Sequence, residues 1–265
     1  MLVFAAITPH TPLLIPTIGK ENLKAMQATG TAMKRVAEDF YLSAPETVIV
    51  ISSHATQYTD AFAINLHETY SIDFKDFGDL STSRSLEPDL ETITLIQRAM
   101  RGAHIPLTLD SASSLDYGTG VPLTYLLEKS PHVQVVPLSH AGLTPRDHVR
   151  FGNILKDVID ASKKRIAIIA SGDLAHSITS DSPLGFRPEG EAYDHRVVEA
   201  VKNHSLSSLL SLDEETVSKS GQCLHEQLLI LLGILEKTQT RPKVISYEHP
   251  FGVGYLVAEF HLTDL

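Results

Sequence analysis

Short β-branched runs recur along this chain with longer, helix-patterned stretches between them, and that alternation limits the folds open to it. Residues 47–52 (TVIVIS), 133–138 and 165–170 are near-continuous apolar runs, the pattern of strands covered on both faces. Residues 2–7 read as a first strand, 106–109 as a short one, and 244–247 and 253–261 as closing strands. Residues 62–66 and 71–74 read as shorter strands at a sheet edge. Helical spacing predicts helices over 21–40, 88–101, 121–128, 146–162, 189–202 and 224–237. Strands separated by helices imply βαβ units. The expected class is α/β: a three-layer sandwich with a mainly parallel or mixed central sheet and helices on both faces. No Pro/Gly/Ser linker or charge block divides the 265 residues, so a single domain over 1–265 is expected.

Composition excludes several functions. A net charge of −10 argues against non-specific nucleic-acid binding, which needs a basic face to neutralise phosphates. No apolar run approaches the roughly 20 residues of a membrane helix. The start, MLVFAAITPHTPLL, lacks a basic leader and reads as a strand, not a signal peptide. A lone cysteine, Cys223, allows no disulfide within the chain and makes a reducing cytoplasm the expected setting. Thirteen histidines point to metal or proton chemistry.

Ligands of open α/β sheets bind beyond the carboxyl ends of the strands. Three predicted strands end in polar residues that strand packing does not require: Thr8-Pro9-His10, Ser53-His54 and Ser171-Gly172-Asp173-Leu174-Ala175-His176. If these strands run parallel, the three histidines share one rim. A lone histidine after a strand is most often an ordinary surface residue; three at equivalent positions are less ordinary. The carboxylate candidates are Glu226, in the first turn of an apolar helix where the dipole favours an acid, and Glu248, in SYEHPFGVGY. Cys223 reads as a soft ligand or a small buried hydrophobe. No phosphate-binding glycine loop, nucleophile elbow or paired-cysteine zinc motif is present.

Six ordered motifs carry a resemblance: FAAITPHTPLLIP, VISSHA, SLDYGTGVPL, ASGDLAHS, SGQCLHEQLL and SYEHPFGVGY. Together they resemble the class III extradiol ring-cleavage dioxygenases, catalytic B subunit, the LigB-like superfamily. The last motif is most similar to the branch associated with AMMECR1 domains and related to Memo proteins. The resemblance implies His10, His54 and Glu226 as metal ligands, His176 as active-site acid/base, and Tyr117 where many members carry a second histidine. In Memo-like relatives a cysteine near Cys223 approaches the metal, so the third ligand lies between Glu226 and Cys223, with Glu226 favoured.

Two histidines and a carboxylate suit Fe(II), although zinc or another divalent metal fits the same donors. The implied activity is a non-haem Fe(II)-dependent extradiol-type dioxygenase that adds O2 to a catechol- or aminophenol-like ring. Asp173 would orient His176 or raise its pKa, Tyr117 would hydrogen-bond substrate or oxygen, and Gly118 and Gly120 would admit backbone close to a ligand. His140 and His225 lie near the same rim without an assigned role. The alternatives are a Memo-like or AMMECR1-associated metal protein with a redox or modification role, or a zinc hydrolase. Expected partners are a small aromatic substrate and O2, without nucleic acid or membrane. A homodimer, a small A-type subunit or an AMMECR1-type protein is the expected assembly.

Overall fold

The computed structural model describes residues 1–263. Its strands are β1 (Leu2–Thr8), β2 (Thr47–Ser52), β3 (Phe62–Asn65), β4 (Tyr70–Phe74), β5 (Asp79–Leu86), β6 (Leu107–Asp110), β7 (Gln134–Ser139), β8 (Ile166–Ser171), β9 (Thr240–Glu248) and β10 (Tyr255–Leu262). The helices are α1 (Pro16–Gly19), α2 (Gln27–Leu42), α3 (Leu90–Gly102), α4 (Tyr117–Leu126), α5 (Pro145–Ala161), α6 (Pro188–Lys202), α7 (Leu206–Leu210), α8 (Glu214–Ser220) and α9 (His225–Leu235).

Eight strands form one sheet in the order β6-β3-β7-β2-β8-β1-β10-β9. The central four, β7, β2, β8 and β1, run parallel. β3 is antiparallel to β7, and β10 to β1 and β9, so the sheet is mixed. Alternate residues of each central strand feed opposite layers. Ile7, Ile51 and Ile168 pack with Ile96 of α3, Leu155 of α5, Val197 of α6 and Ile230 of α9. Ala6, Val50 and Ile169 pack with Met33 and Phe40 of α2 and Leu123 of α4. The expected three-layer α/β architecture is therefore present. No helix among the described residues is long and apolar enough to cross a membrane.

Local chemistry fixes the helix starts. Asp89 accepts from the Thr92 amide at 3.0 Å at the head of α3, and Asp116 does the same for Thr119 at the head of α4. Thr144 and Asp147 form a reciprocal capping box on α5, with Pro145 in its first turn.

Several sequence expectations need correction. The helix expected over 21–40 begins at Gln27, because residues 20–24 form a separate 3-10 turn. The α4 helix starts at Tyr117, ahead of the expected 121, because Asp116 caps it there. β3 lies one place in from the edge, with β6 outside it. β4 leaves the main sheet altogether and pairs with β5 in a two-stranded ribbon. Neither β5 nor the short α7 and α8 was expected from the sequence.

Candidate metal centre

Parallel β1, β2 and β8 bring the segments after Thr8, Ser52 and Ser171 to one rim of the sheet. His10 is buried there, with its backbone N–H donating to Asp173 Oδ1 at 3.0 Å. Its Nδ1 lies 3.3 Å from Ser171 Oγ, and that hydroxyl donates to the Gly118 carbonyl. Because the serine proton is committed to Gly118, Ser171 accepts from His10 Nδ1–H. The Nε2 lone pair of His10 therefore points into the rim.

Nε2 of His54 lies 3.1 Å from Nε2 of His10, and Sγ of Cys223 lies 3.3 Å from the same nitrogen. Among the described residues, His10, His54 and Cys223 form a group whose ligand atoms all lie within 4.8 Å of one another. Metal–nitrogen bonds of about 2.0–2.1 Å place two such nitrogens about 2.9 Å apart at a right angle and about 3.3 Å apart at the tetrahedral angle. The 3.1 Å separation falls between these values, so the pair fits a shared cation. Burial, then the other histidines, holds His10 well below the usual imidazole pKa; burial also lowers His54. Both rings are accordingly neutral near pH 7, the form that binds metal.

Glu226 is outside this group. It occupies the first turn of α9, and its charge acts on His140, His225 and Tyr193 as well as on Cys223. Cys223 precedes the helix in a turn pinned to the β8 loop: its N–H donates to Asp173 O at 3.1 Å, and its sulfur accepts from Asp173 N at 3.3 Å. The loops pack too closely for a side chain between them, since a Cβ at Gly172 would lie 2.6 Å from Cys223 O and 2.7 Å from Leu224 Cα. Burial, then Asp173, pushes the Cys223 thiol up to about 12. A cation beside it would reverse that preference.

Asp173 was expected to serve His176, but it lies against His10, with Oδ2 3.9 Å from His10 Nε2. Burial pushes its carboxyl up to about 7, opposed by the His10 N–H. His176 lines the same cleft as the cluster, and its Nδ1 is buried without a hydrogen-bond partner. Burial lowers its pKa. Tyr117 donates or accepts at 2.8 Å from His54 Nε2, and its ring stacks on His54 with centroids 4.3 Å apart. Burial raises the Tyr117 pKa, so the phenol keeps its proton. Of the two glycines expected beside a ligand, Gly118 abuts the site, since a Cβ there would lie 3.2 Å from His10 Nδ1. Gly120 instead faces Ile72 and Phe74 of the ribbon.

His54 and Tyr117 divide two cavities. One, of about 540 Å³, is also lined by His10, Cys223, His176 and Phe251. The other, of about 430 Å³, is also lined by Asp73, Asp76, Asp110, Asp116 and Phe77, without a lysine or arginine. Phe77, at the tip of the ribbon, meets Tyr117 edge-on at 5.2 Å. The sequence reading assigned no part to Ser171, Asp116 or Phe77. The strand-end position of Ser171 and the helix-capping position of Asp116 were the available signals; Phe77 had none, because its ribbon was not foreseen.

Comparison with known proteins agrees with this architecture. The family described as the catalytic LigB subunit of aromatic ring-opening dioxygenase matches residues 4–258. Protein CA_C1420 of Clostridium acetobutylicum is 29% identical over 258 residues, covering 94% of this chain and 55% of that protein. The chain thus spans about half the length of that curated relative. The crystal structure of uncharacterized protein JW3007 from Escherichia coli K12 superposes with a TM-score of 0.69 at 18% identity, covering 97% of this chain and 99% of the other. That likeness concerns the fold.

Proposed function

The chain belongs to the LigB family, the catalytic subunit of aromatic ring-opening dioxygenase, and from that premise we propose that it is a metal-dependent extradiol-type dioxygenase using non-haem Fe(II) at His10, His54 and Cys223. The observation that carries this reading is the convergence of three donor atoms within 4.8 Å at the mouth of a cleft. When bound, the divalent ion supplies Lewis acidity and one-electron chemistry. The substrate is a ring with adjacent hydroxyls, or a hydroxyl and an amine. The overall reaction breaks one ring carbon–carbon bond and leaves both atoms of O2 in the product.

The side chains divide the remaining work. His176, neutral by virtue of its burial, takes the proton from the substrate hydroxyl oxygen and later returns it. Tyr117 contacts the Nε2 that His54 would give to the ion. Once that lone pair is engaged, the phenol O–H is free to donate to a substrate oxygen. Asp173 and Ser171 hold His10 in register. The aspartate-lined cavity behind His54 and Tyr117 disfavours a carboxylate substituent and suits a neutral or amine-bearing one.

The test is anaerobic reconstitution with Fe(II), followed by oxygen-electrode assays over catechols and aminophenols. Oxygen uptake with a yellow ring-opened product supports the proposal. Stoichiometric iron without turnover across the panel contradicts it.

Cys223 favours a second reading. A thiolate donor suits zinc or copper(I) better than it suits Fe(II), and such a centre would serve a Memo-like or AMMECR1-associated metal protein without ring cleavage. Tight zinc or copper in the purified protein, abolished by Cys223→Ser, would favour this alternative.

A further inference from the structure

Gln227 has no exposed surface. It sits in the first turns of α9, followed by LLILLGIL, where a carboxamide is costly unless each polar atom is matched. One orientation of the amide matches them all. Its nitrogen then donates to Cys223 O at 3.3 Å and Leu224 O at 3.1 Å, while its oxygen accepts from Ser53 N at 3.2 Å and His140 Nδ1 at 2.9 Å. The reverse orientation sets oxygen against the two carbonyls and nitrogen against the Ser53 N–H. These four partners belong to three segments: the turn that carries Cys223, the loop that carries His54, and the residue after β7.

We propose that Gln227 is a positioning residue that fixes the spacing between Cys223 and His54, and thereby how tightly the cluster holds a cation. Apart from a contact between the Cys223 thiol and the Ser53 side chain, the other polar contacts of the Cys223 turn lie elsewhere. The Cys223 N–H goes to Asp173 O, and the Leu224 and His225 N–H groups go to Gln222 Oε1, each at 2.6 Å. These anchor the turn to the β8 loop and to itself. The Gln227 amide adds a tie to the backbone of Ser53, the neighbour of His54. In this orientation it also accepts from His140 Nδ1.

The part of this inference that concerns cation affinity rests on the proposed metal centre; the positioning itself does not, and two readouts separate them. Cys223 is the sole cysteine, so alkylation of the metal-free protein by iodoacetamide reports on its turn alone. Gln227→Met keeps the volume and removes the hydrogen bonds. Gln227→Glu keeps an acceptor for Ser53 and His140 but places oxygen against the two carbonyls, and it carries the test should Gln227→Met not fold. Native-state alkylation should accelerate about tenfold, the equivalent of roughly one lost hydrogen bond. Cobalt(II) affinity should fall about 10- to 100-fold, with a weakened thiolate-to-cobalt absorption band. Wild-type alkylation rate and cobalt affinity in a folded variant would overturn the proposal and leave Gln227 a stabilising residue only. Faster alkylation in the variants of a protein that takes up no cobalt would support the positioning role while defeating the metal centre.

Discussion

The sulfur of Cys223 lies 3.3 Å from Nε2 of His10, across 213 residues of sequence. The contact joins the end of β1 to the turn before α9. It depends on the β8 loop between them, whose Asp173 holds the His10 N–H with its carboxylate and the Cys223 N–H with its carbonyl. Three consequences concern this arrangement and a fourth concerns the buried framework beneath it.

Removing ligand and non-ligand imidazoles should have opposite effects. His10→Ala and His54→Ala should lose the metal and keep the fold, read by elemental analysis and circular dichroism. His176→Ala should keep the metal and lose turnover by roughly 100-fold or more, as expected for an acid/base group. Full metal occupancy in both ligand variants would dismantle the site.

Gly172→Ala should strain the joint between the two loops. The new methyl would lie 2.6 Å from Cys223 O and 2.7 Å from Leu224 Cα, both parts of the backbone. A cost of about 1–3 kcal/mol in urea unfolding is expected, together with weaker metal binding. Unchanged values for both would show that the loops yield freely.

Tyr117→Phe removes the hydroxyl 2.8 Å from His54 and keeps the stacked ring. Metal content should stay near wild type while kcat falls roughly 100-fold. Loss of metal instead of rate would make Tyr117 a structural support for His54.

Asp194 gives a pH dependence of stability. It is buried, accepts from the Ala175 N–H and the Tyr247 hydroxyl at 2.8 Å each, and is pushed up to about 7 by burial. The folded protein therefore binds this proton more tightly than the unfolded chain, whose aspartate titrates near 3.8. Its contribution is fully present below pH 3.8 and is lost as pH rises toward 7. Glu259, also pushed up to about 7, acts with the same sign, whereas buried His10 and His225 act oppositely below pH 6.5. Comparison with Asp194→Asn isolates the one carboxyl: relative to wild type, the variant should gain thermal stability between pH 5 and pH 8. A pH-independent difference in Tm would refute the assignment.

The central strands were legible because burial on both faces demands uninterrupted apolar residues, and TVIVIS supplies them without ambiguity. The rim histidines followed from their positions just after predicted strands, given that those strands run parallel. β5 was not legible: DLSTSRSL is polar and buries only its ends, because it pairs in a ribbon instead of filling a layer. The start of α2 was hidden because Leu23 and Met26 continue a helical spacing across a 3-10 turn. The place of Cys223 beside the two histidines was the hardest to foresee. Sequence motifs favoured Glu226 as third ligand with Cys223 as the alternative, whereas the turn that brings the Cys223 sulfur to His10 is held by Asp173, fifty residues earlier, a long-range contact with no local sign.

The proposed sharing of one cation by His10, His54 and Cys223 is tested most directly by X-ray absorption on zinc-loaded protein, wild type and Cys223→Ser. The wild type should show one sulfur at about 2.3 Å with nitrogen ligands near 2.0–2.1 Å, the values for zinc, and the variant should lose the sulfur and most of its metal. A shell of nitrogen and oxygen alone, unaltered in Cys223→Ser and abolished in Glu226→Ala, would contradict it.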